Sequence, residues 1–131
     1  MTGGHAALAA LDDFLHALNS HDVAAWADTL HYPHVRVHDG TVTVWPDRDD
    51  YVKRSEGELA LLLATGWRRS IWDSVEVVQE VADQVHVRTR FARLDAQGAR
   101  LATFESIYVL TRQEGRWGTL ARIGFEVPAA R

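Results

Sequence analysis

Apolar positions in this chain recur first at helical and then at strand spacing. Over residues 6–19, Leu8, Leu11, Leu15 and Leu18 return every three or four residues with Phe14 beside them, which predicts an amphipathic helix. Asn19-Ser20-His21-Asp22 interrupts the pattern, and Asp22 is suited to cap a second, shorter helix through Val23, Trp26 and Leu30. Pro33 ends any helix before it. Residues 31–45 then alternate on both sides of Asp39-Gly40. Asp-Gly supplies the positive φ angles of a type I′ turn, so this stretch predicts a β-hairpin. A third helix is expected from Asp49 to Ala64, with Tyr51, Val52, Leu59, Leu62 and Leu63 on its apolar side and Gly66 closing it. Beyond Gly66 the period is two, and residues 70–81, 85–94, 103–112 and 117–127 read as strands joined by short polar turns. Turns this short join antiparallel neighbours.

Helices followed by an antiparallel meander make an α+β fold. Three helices laid on one face of a curved six-stranded sheet would enclose a conical cavity. No linker, repeat or low-complexity stretch divides residues 1–131, so one domain is expected, with residues 1–5 disordered ahead of the first helix.

Composition narrows the function classes. At 131 residues and 47% hydrophobic content the chain can bury a sizeable core. A net charge of −4 argues against a general nucleic-acid binder. The absence of cysteine excludes disulfides and thiolate metal sites. No apolar run reaches the roughly 20 residues of a membrane span. The Met-Thr-Gly-Gly-His start has neither the basic segment nor the apolar core of a secretory signal, so a cytoplasmic location is expected.

Candidate chemistry concentrates in the hairpin. His34, Arg36 and His38 share one strand face and Val35 and Val37 the other. The polar set therefore faces either a cavity or water. Zinc on His31, His34 and His38 fails on geometry. Four residues of strand separate His34 from His38 by about 13 Å, and metal–nitrogen bonds of about 2 Å cannot bridge that. No metal and no cofactor is expected. Asp73 lies among Ile71, Val75 and Val77, where desolvation would raise its pKa and equip it to move a proton; the alternative is a solvated strand start. If Glu114-Gly115 forms a two-residue turn, an unbroken register places Glu105 diagonal to Arg122 on one face, either as a structural salt bridge or as a pocket pair orienting an anionic substrate. Arg88 and Arg90 share a polar strand face with His86 and have the chemistry to bind a carboxylate or phosphate, or simply to meet water. Tyr108 shares its face with Phe104, Ser106, Ile123 and Phe125, and its hydroxyl is suited to polarise a carbonyl. Trp26, Trp45, Tyr51, Trp67 and Trp72 are candidates for aromatic walls, with Trp45 at the expected mouth of the cone. Phosphate-loop and nucleophile-elbow motifs are absent.

The phrases His-Tyr-Pro-His-Val-Arg-Val, Asp-Gly-Thr-Val-Thr-Val-Trp, Glu-Ser-Ile-Tyr-Val-Leu-Thr-Arg-Gln-Glu-Gly-Arg-Trp-Gly and Ala-Arg-Ile-Gly-Phe, in this element order, resemble the nuclear transport factor 2-like superfamily, in particular its SnoaL-like branch. The resemblance spans about residues 6–127. It implies the NTF2-like, cystatin-like cone, a small hydrophobic molecule inside it and a homodimer through the outer sheet face. Members include steroid isomerases, polyketide cyclases, dehydratases and non-catalytic binders. In the isomerases an acid near the end of the first strand is the base. His38 falls near that place here, and histidine can substitute because it titrates near neutrality. The resemblance thus implies a cofactor-independent cyclase, isomerase or dehydratase acting on a hydrophobic carbonyl compound. His38 would be its base and Tyr108 or an acid such as Asp73 its polariser, with Trp26, His34, Arg36, Trp45, Tyr51, Arg90, Glu105 and Arg122 around the substrate. The alternative is a non-catalytic ligand-binding or dimerisation domain.

Overall fold

The structure, a computed structural model, describes residues 3–129. In chain order it contains α1 (Gly3–Asn19), α2 (Val23–Asp28), β1 (Leu30–His38), β2 (Thr41–Trp45), α3 (Arg48–Ala64), β3 (Arg69–Val81), β4 (Gln84–Leu94), β5 (Arg100–Gln113) and β6 (Arg116–Glu126). The six strands form one sheet in the order β2-β1-β6-β5-β4-β3. All neighbours are antiparallel except β1 and β6. This is the expected α+β arrangement of three helices on a mainly antiparallel sheet.

Local chemistry accounts for most boundaries. Asp22 accepts a hydrogen bond from Ala25 N at 3.2 Å and so caps α2, and Asp47 caps α3 through Asp50 N at 2.8 Å. Helix α2 stops at Asp28 rather than Leu30, because Leu30 is already paired with Thr119 of β6 and Thr29 turns its hydroxyl back onto the Trp26 carbonyl. Helix α1 begins at Gly3, three residues earlier than its apolar period requires, and the Glu80 carboxylate of β3 accepts from the Gly4 amide at 2.7 Å. Residues 3–5 are therefore helical rather than disordered, and residues 1–2 lie outside the described residues. Asp39 and Gly40 take φ values of 48° and 82°, the left-handed pair that the tight hairpin turn requires.

Two bulges decide which side chains enter the cone. In the β5–β6 ladder Val109 faces Ala121 and Leu110 faces Thr119, so Leu120 has no partner. The turn sets Gln113 against Arg116 as an unbroken register requires, but past the bulge Tyr108 faces Arg122 and Ile107 faces Ile123. Arg122 is thereby turned to the concave face, while Ile123 and Phe125 are turned out and left exposed. In β3, Trp72 pairs with Phe91 and Ser74 with Arg90, leaving Asp73 as the extra residue, outside the apolar row.

The core lies between α1, α2, α3 and the concave face. It includes Leu11, Phe14, Trp26, Trp45, Tyr51, Val85, Val87 and Leu110. Trp45, Trp26, Tyr51 and His34 form one aromatic cluster. Tyr51 lies 5.2 Å from Trp45, 5.8 Å from Trp26 and 5.8 Å from His34, centroid to centroid.

Candidate functional site

A cavity of about 350 Å³ lies between the helices and the concave face, at the small end of ligand pockets. Its apolar walls include Phe14 and Leu18 from α1, Trp26 from α2, Leu62 from α3, Trp72 from β3 and Phe91 from β4. Its polar groups include His34, Arg36, Tyr51, Glu58, Arg93, Tyr108 and Arg122. A smaller hollow of about 70 Å³ adjoins it, bounded by the same Arg36, Arg93 and Arg122 together with His38, Phe104, Ser106 and Gly124. The concave row of β1 therefore grades along its length. His34 opens on the large cavity, Arg36 on both, and His38 on the small one.

Strand alternation places each polar side chain. Arg36 of β1 pairs backbone to backbone with Arg122 of β6, which in turn faces Tyr108 of β5. Arg93 follows Val85, Val87, Thr89 and Phe91 on the concave row of β4. Arg122 Nη1 approaches the Tyr108 hydroxyl at 3.5 Å, and its Cζ lies 5.9 Å from the Tyr108 ring centre. Arg36 Cζ sits 4.7 Å over Trp45 and Arg93 Cζ 4.4 Å over Phe104. Arg36 also reaches Glu58 at 3.7 Å, on the half-exposed rim. Burial, then the positive charges of Arg122 and Arg36, push His34 down to about 3, so its imidazole is neutral near pH 7. The neutral ring meets the Thr119 carbonyl through Nδ1 at 3.2 Å. A carbonyl can only accept, so Nδ1 carries the proton and Nε2 the free lone pair. Burial raises Tyr51 to about 12 despite the nearby Arg36 and Arg122.

The structure gathers Trp26, His34, Arg36, Tyr51, Tyr108 and Arg122 around one cavity. Other expected site residues fall elsewhere. Trp45 is fully buried behind Tyr51 and His34 rather than at a mouth. Trp67 is buried with its indole N–H on Ser70 Oγ at 3.0 Å. Asp73, bulged out of its row, is clasped by Arg100 at 2.8 Å, which together with its exposure keeps its pKa low instead of raised. Glu105 pairs with Arg90 at 2.9 Å on the convex face, and the bulge at Leu120 separates it from Arg122. Arg88 pairs with Glu76 on that face at 3.2 Å. The His38 side chain is 42% exposed and lies 3.4 Å from Asp39, on the small hollow rather than the cavity that Tyr108 lines. His31 bonds Thr111 Oγ1 at 2.9 Å, apart from His34.

Arg93 and Glu58 are pocket residues that the sequence reading did not single out. Arg93 had a signal: it ends an otherwise apolar period-two row, where a charge must meet a polar cavity or the sheet edge. Glu58 had none, being one of several acids on α3.

Comparison with solved structures gives the same fold. A ketosteroid isomerase-like protein from Erwinia carotovora atroseptica is similar with a TM-score of 0.71 at 21% identity, covering 95% of this chain and 96% of that one. A protein of unknown function with a cystatin-like fold from Nostoc punctiforme reaches 0.75 at 12% identity, covering 96% and 92%. A Catenulispora acidiphila protein solved in complex with S-DNPA reaches 0.72 at 16%, covering 93% and 91%. No curated protein matches the chain. The family described as "NTF2-like protein (DUF6841)" matches residues 6–123, and the chain belongs to that family.

Proposed function

We propose that this protein binds a flat, hydrophobic carbonyl compound in its cone, with the Tyr108 hydroxyl and the Arg122 guanidinium holding the carbonyl oxygen. The carrying observation is that these two donors lie 3.5 Å apart and open into one largely apolar cavity. Aromatic walls supply the area for binding and the donor pair supplies orientation. Among the neighbours of the same fold, one is described as ketosteroid isomerase-like and one was solved in complex with S-DNPA, which supports a small-molecule reading.

The test is calorimetric titration of a panel of aryl ketones. Tyr108→Phe keeps the ring packed against Phe14 and Trp72 and removes only the donor. One hydrogen bond of about 1–1.5 kcal/mol corresponds to roughly tenfold weaker binding. Unchanged affinity in the variant, or no ketone bound by the native protein, defeats the reading.

Catalysis is the second reading, and the His34 lone pair favours it. A carbonyl polarised at Tyr108 and Arg122 has a more acidic α-proton, and His34 Nε2 is the base in the same cavity. Its low basicity demands strong stabilisation of the enolate. Exchange of ketone α-protons with deuterated water, lost in His34→Gln, separates a cyclase, isomerase or dehydratase chemistry from binding alone.

We also propose a homodimer through the convex face. Val35 pairs with Val44 and Val37 with Val42 and Ile123, which makes a continuous apolar stripe. Val42 is 63% exposed and Ile123 46%, more apolar surface than a lone sheet face ordinarily shows water. Ile123→Glu is expected to convert a dimer to a monomer in light scattering, and a native monomer at micromolar concentration removes the proposal.

A further inference from the structure

We propose that the ligand of this cone is an anion, specifically a flat hydrophobic monocarboxylate, received by Arg36, Arg93 and Arg122. The inference rests on the reading that the cone binds a small molecule, and it adds the ligand's charge and head group.

Three strands deliver the three guanidinium groups, β1, β4 and β6, and together they form the partition between the large cavity and the small hollow. Each lies over an aromatic ring, Trp45, Phe104 or Tyr108. Stacking of this kind occupies a guanidinium face and leaves its N–H edges for an acceptor in the plane. Those edges are poorly supplied by the protein. Among the described residues, neither Arg93 nor Arg122 has a carboxylate within ion-pair distance, and Arg36 Nε is buried with no acceptor. Six arginines at the surface contrast with them: Arg48, Arg54, Arg88, Arg90, Arg100 and Arg112 each hold a carboxylate at 3.2 Å or less. Six solvent-facing arginines thus hold a close carboxylate, whereas buried Arg93 and Arg122 hold none and Arg36 has only the longer 3.7 Å contact to Glu58. The strain is visible in Arg93, pushed down to about 10 by burial and then by Arg122 and Arg36.

Charge selects the class of anion. The acids that act on this cluster are Glu58 and Glu126, both exposed to solvent. His34 is neutral near pH 7. Three cations against two carboxylates leave one positive charge, which a monoanion neutralises and a dianion would overshoot. A carboxylate also matches the planar fork that arginine presents. The apolar walls of the larger cavity then take the hydrocarbon body.

Isothermal titration with naphthalene carboxylate, naphthalene carboxamide, naphthyl phosphate and acetylnaphthalene tests this. The carboxylate is expected to bind at least about tenfold tighter than the carboxamide, as charge-assisted hydrogen bonds imply, with affinity falling as salt rises. Arg93→Met and Arg122→Met keep the stem and ring contact but remove the cation. Each is expected to lose the preference for carboxylate over carboxamide, while the ligand-free variant melts no lower than the native protein. Circular dichroism melting reports folding independently, and Arg36→Gln serves if either Met variant fails to fold. Equal binding of carboxylate and carboxamide overturns the inference and leaves the small-molecule reading intact. Tighter binding of naphthyl phosphate overturns the carboxylate assignment. Binding of none of the probes, acetylnaphthalene included, defeats the underlying reading itself.

Discussion

Acidification is expected to unfold this protein through His34 more than through any single surface group. The folded chain disfavours the imidazolium, holding His34 near 3 against an ordinary 6.5, first by burial and then by Arg122 and Arg36. Below pH 6.5 the unfolded chain therefore takes up a proton that the folded chain refuses. Stability contributed by the neutral ring is complete above pH 6.5 and is lost progressively as pH falls toward 3. At about 1.4 kcal/mol per pH unit, the loss is on the order of 5 kcal/mol. His31, lowered by burial and then by Arg116, adds in the same direction. Urea unfolding at a series of pH values checks this by difference. A His34→Gln variant is less dependent on pH between 6.5 and 3 than the native protein. Parallel curves for the two proteins would show that His34 does not carry the effect.

Trp45→Ala is expected to lower unfolding stability by about 3–5 kcal/mol, the range for emptying a large aromatic site in a packed core. Trp45 is fully buried and packs on Tyr51 and on His34. It also carries Arg36 at 4.7 Å and Arg54 at 5.1 Å. Its removal leaves a void beneath α3 and frees the guanidinium that it seats, so binding in the cone suffers together with stability. Trp45→Phe, which retains an aromatic face, is expected to recover a large part of both. Denaturant midpoints measure the first effect and probe titration the second. A loss below about 1 kcal/mol would mean that the site collapses around the cavity instead of retaining it.

Periodicity revealed the elements because it reports burial directly. Leu8, Leu11, Leu15 and Leu18 announce α1, and Asp39-Gly40 announces the β1–β2 turn, since few other residues tolerate its backbone. Alternation put His34, Arg36 and His38 on one face, but their strand alone could not say whether that face met the cavity or water. What escaped were departures from strict alternation. The bulges at Asp73 and Leu120 carry no residue signature, because any extended segment can absorb an extra residue when the partner strand curves. An unbroken count therefore put Asp73 into an apolar row, Arg122 beside Glu105, and Ile123 and Phe125 beside Tyr108. Arg93 was passed over for a different reason. Its neighbours Arg88 and Arg90 are equally basic and drew the attention, although parity sets Arg93 on the opposite face, at the end of the row Val85, Val87, Thr89 and Phe91.

The unpaired Leu120 has a consequence for how this cone can change over time. A strand keeps its inside and outside by parity, and one supernumerary residue inverts the parity of everything beyond it. Pairing Leu120 into the ladder at unchanged chain length would send the side chains of Ile123 and Phe125 inward and that of Arg122 to the surface, with no substitution in any of them, whereas deleting Leu120 would leave Arg122 opposite Tyr108. The lining of the chamber would pass from cationic to greasy, and the convex stripe would lose its apolar character in the same event. Ligand preference and self-association in this architecture are therefore linked through whether this one residue is bulged or paired, and relatives of the same strand length that lack the bulge are expected to differ in both properties together.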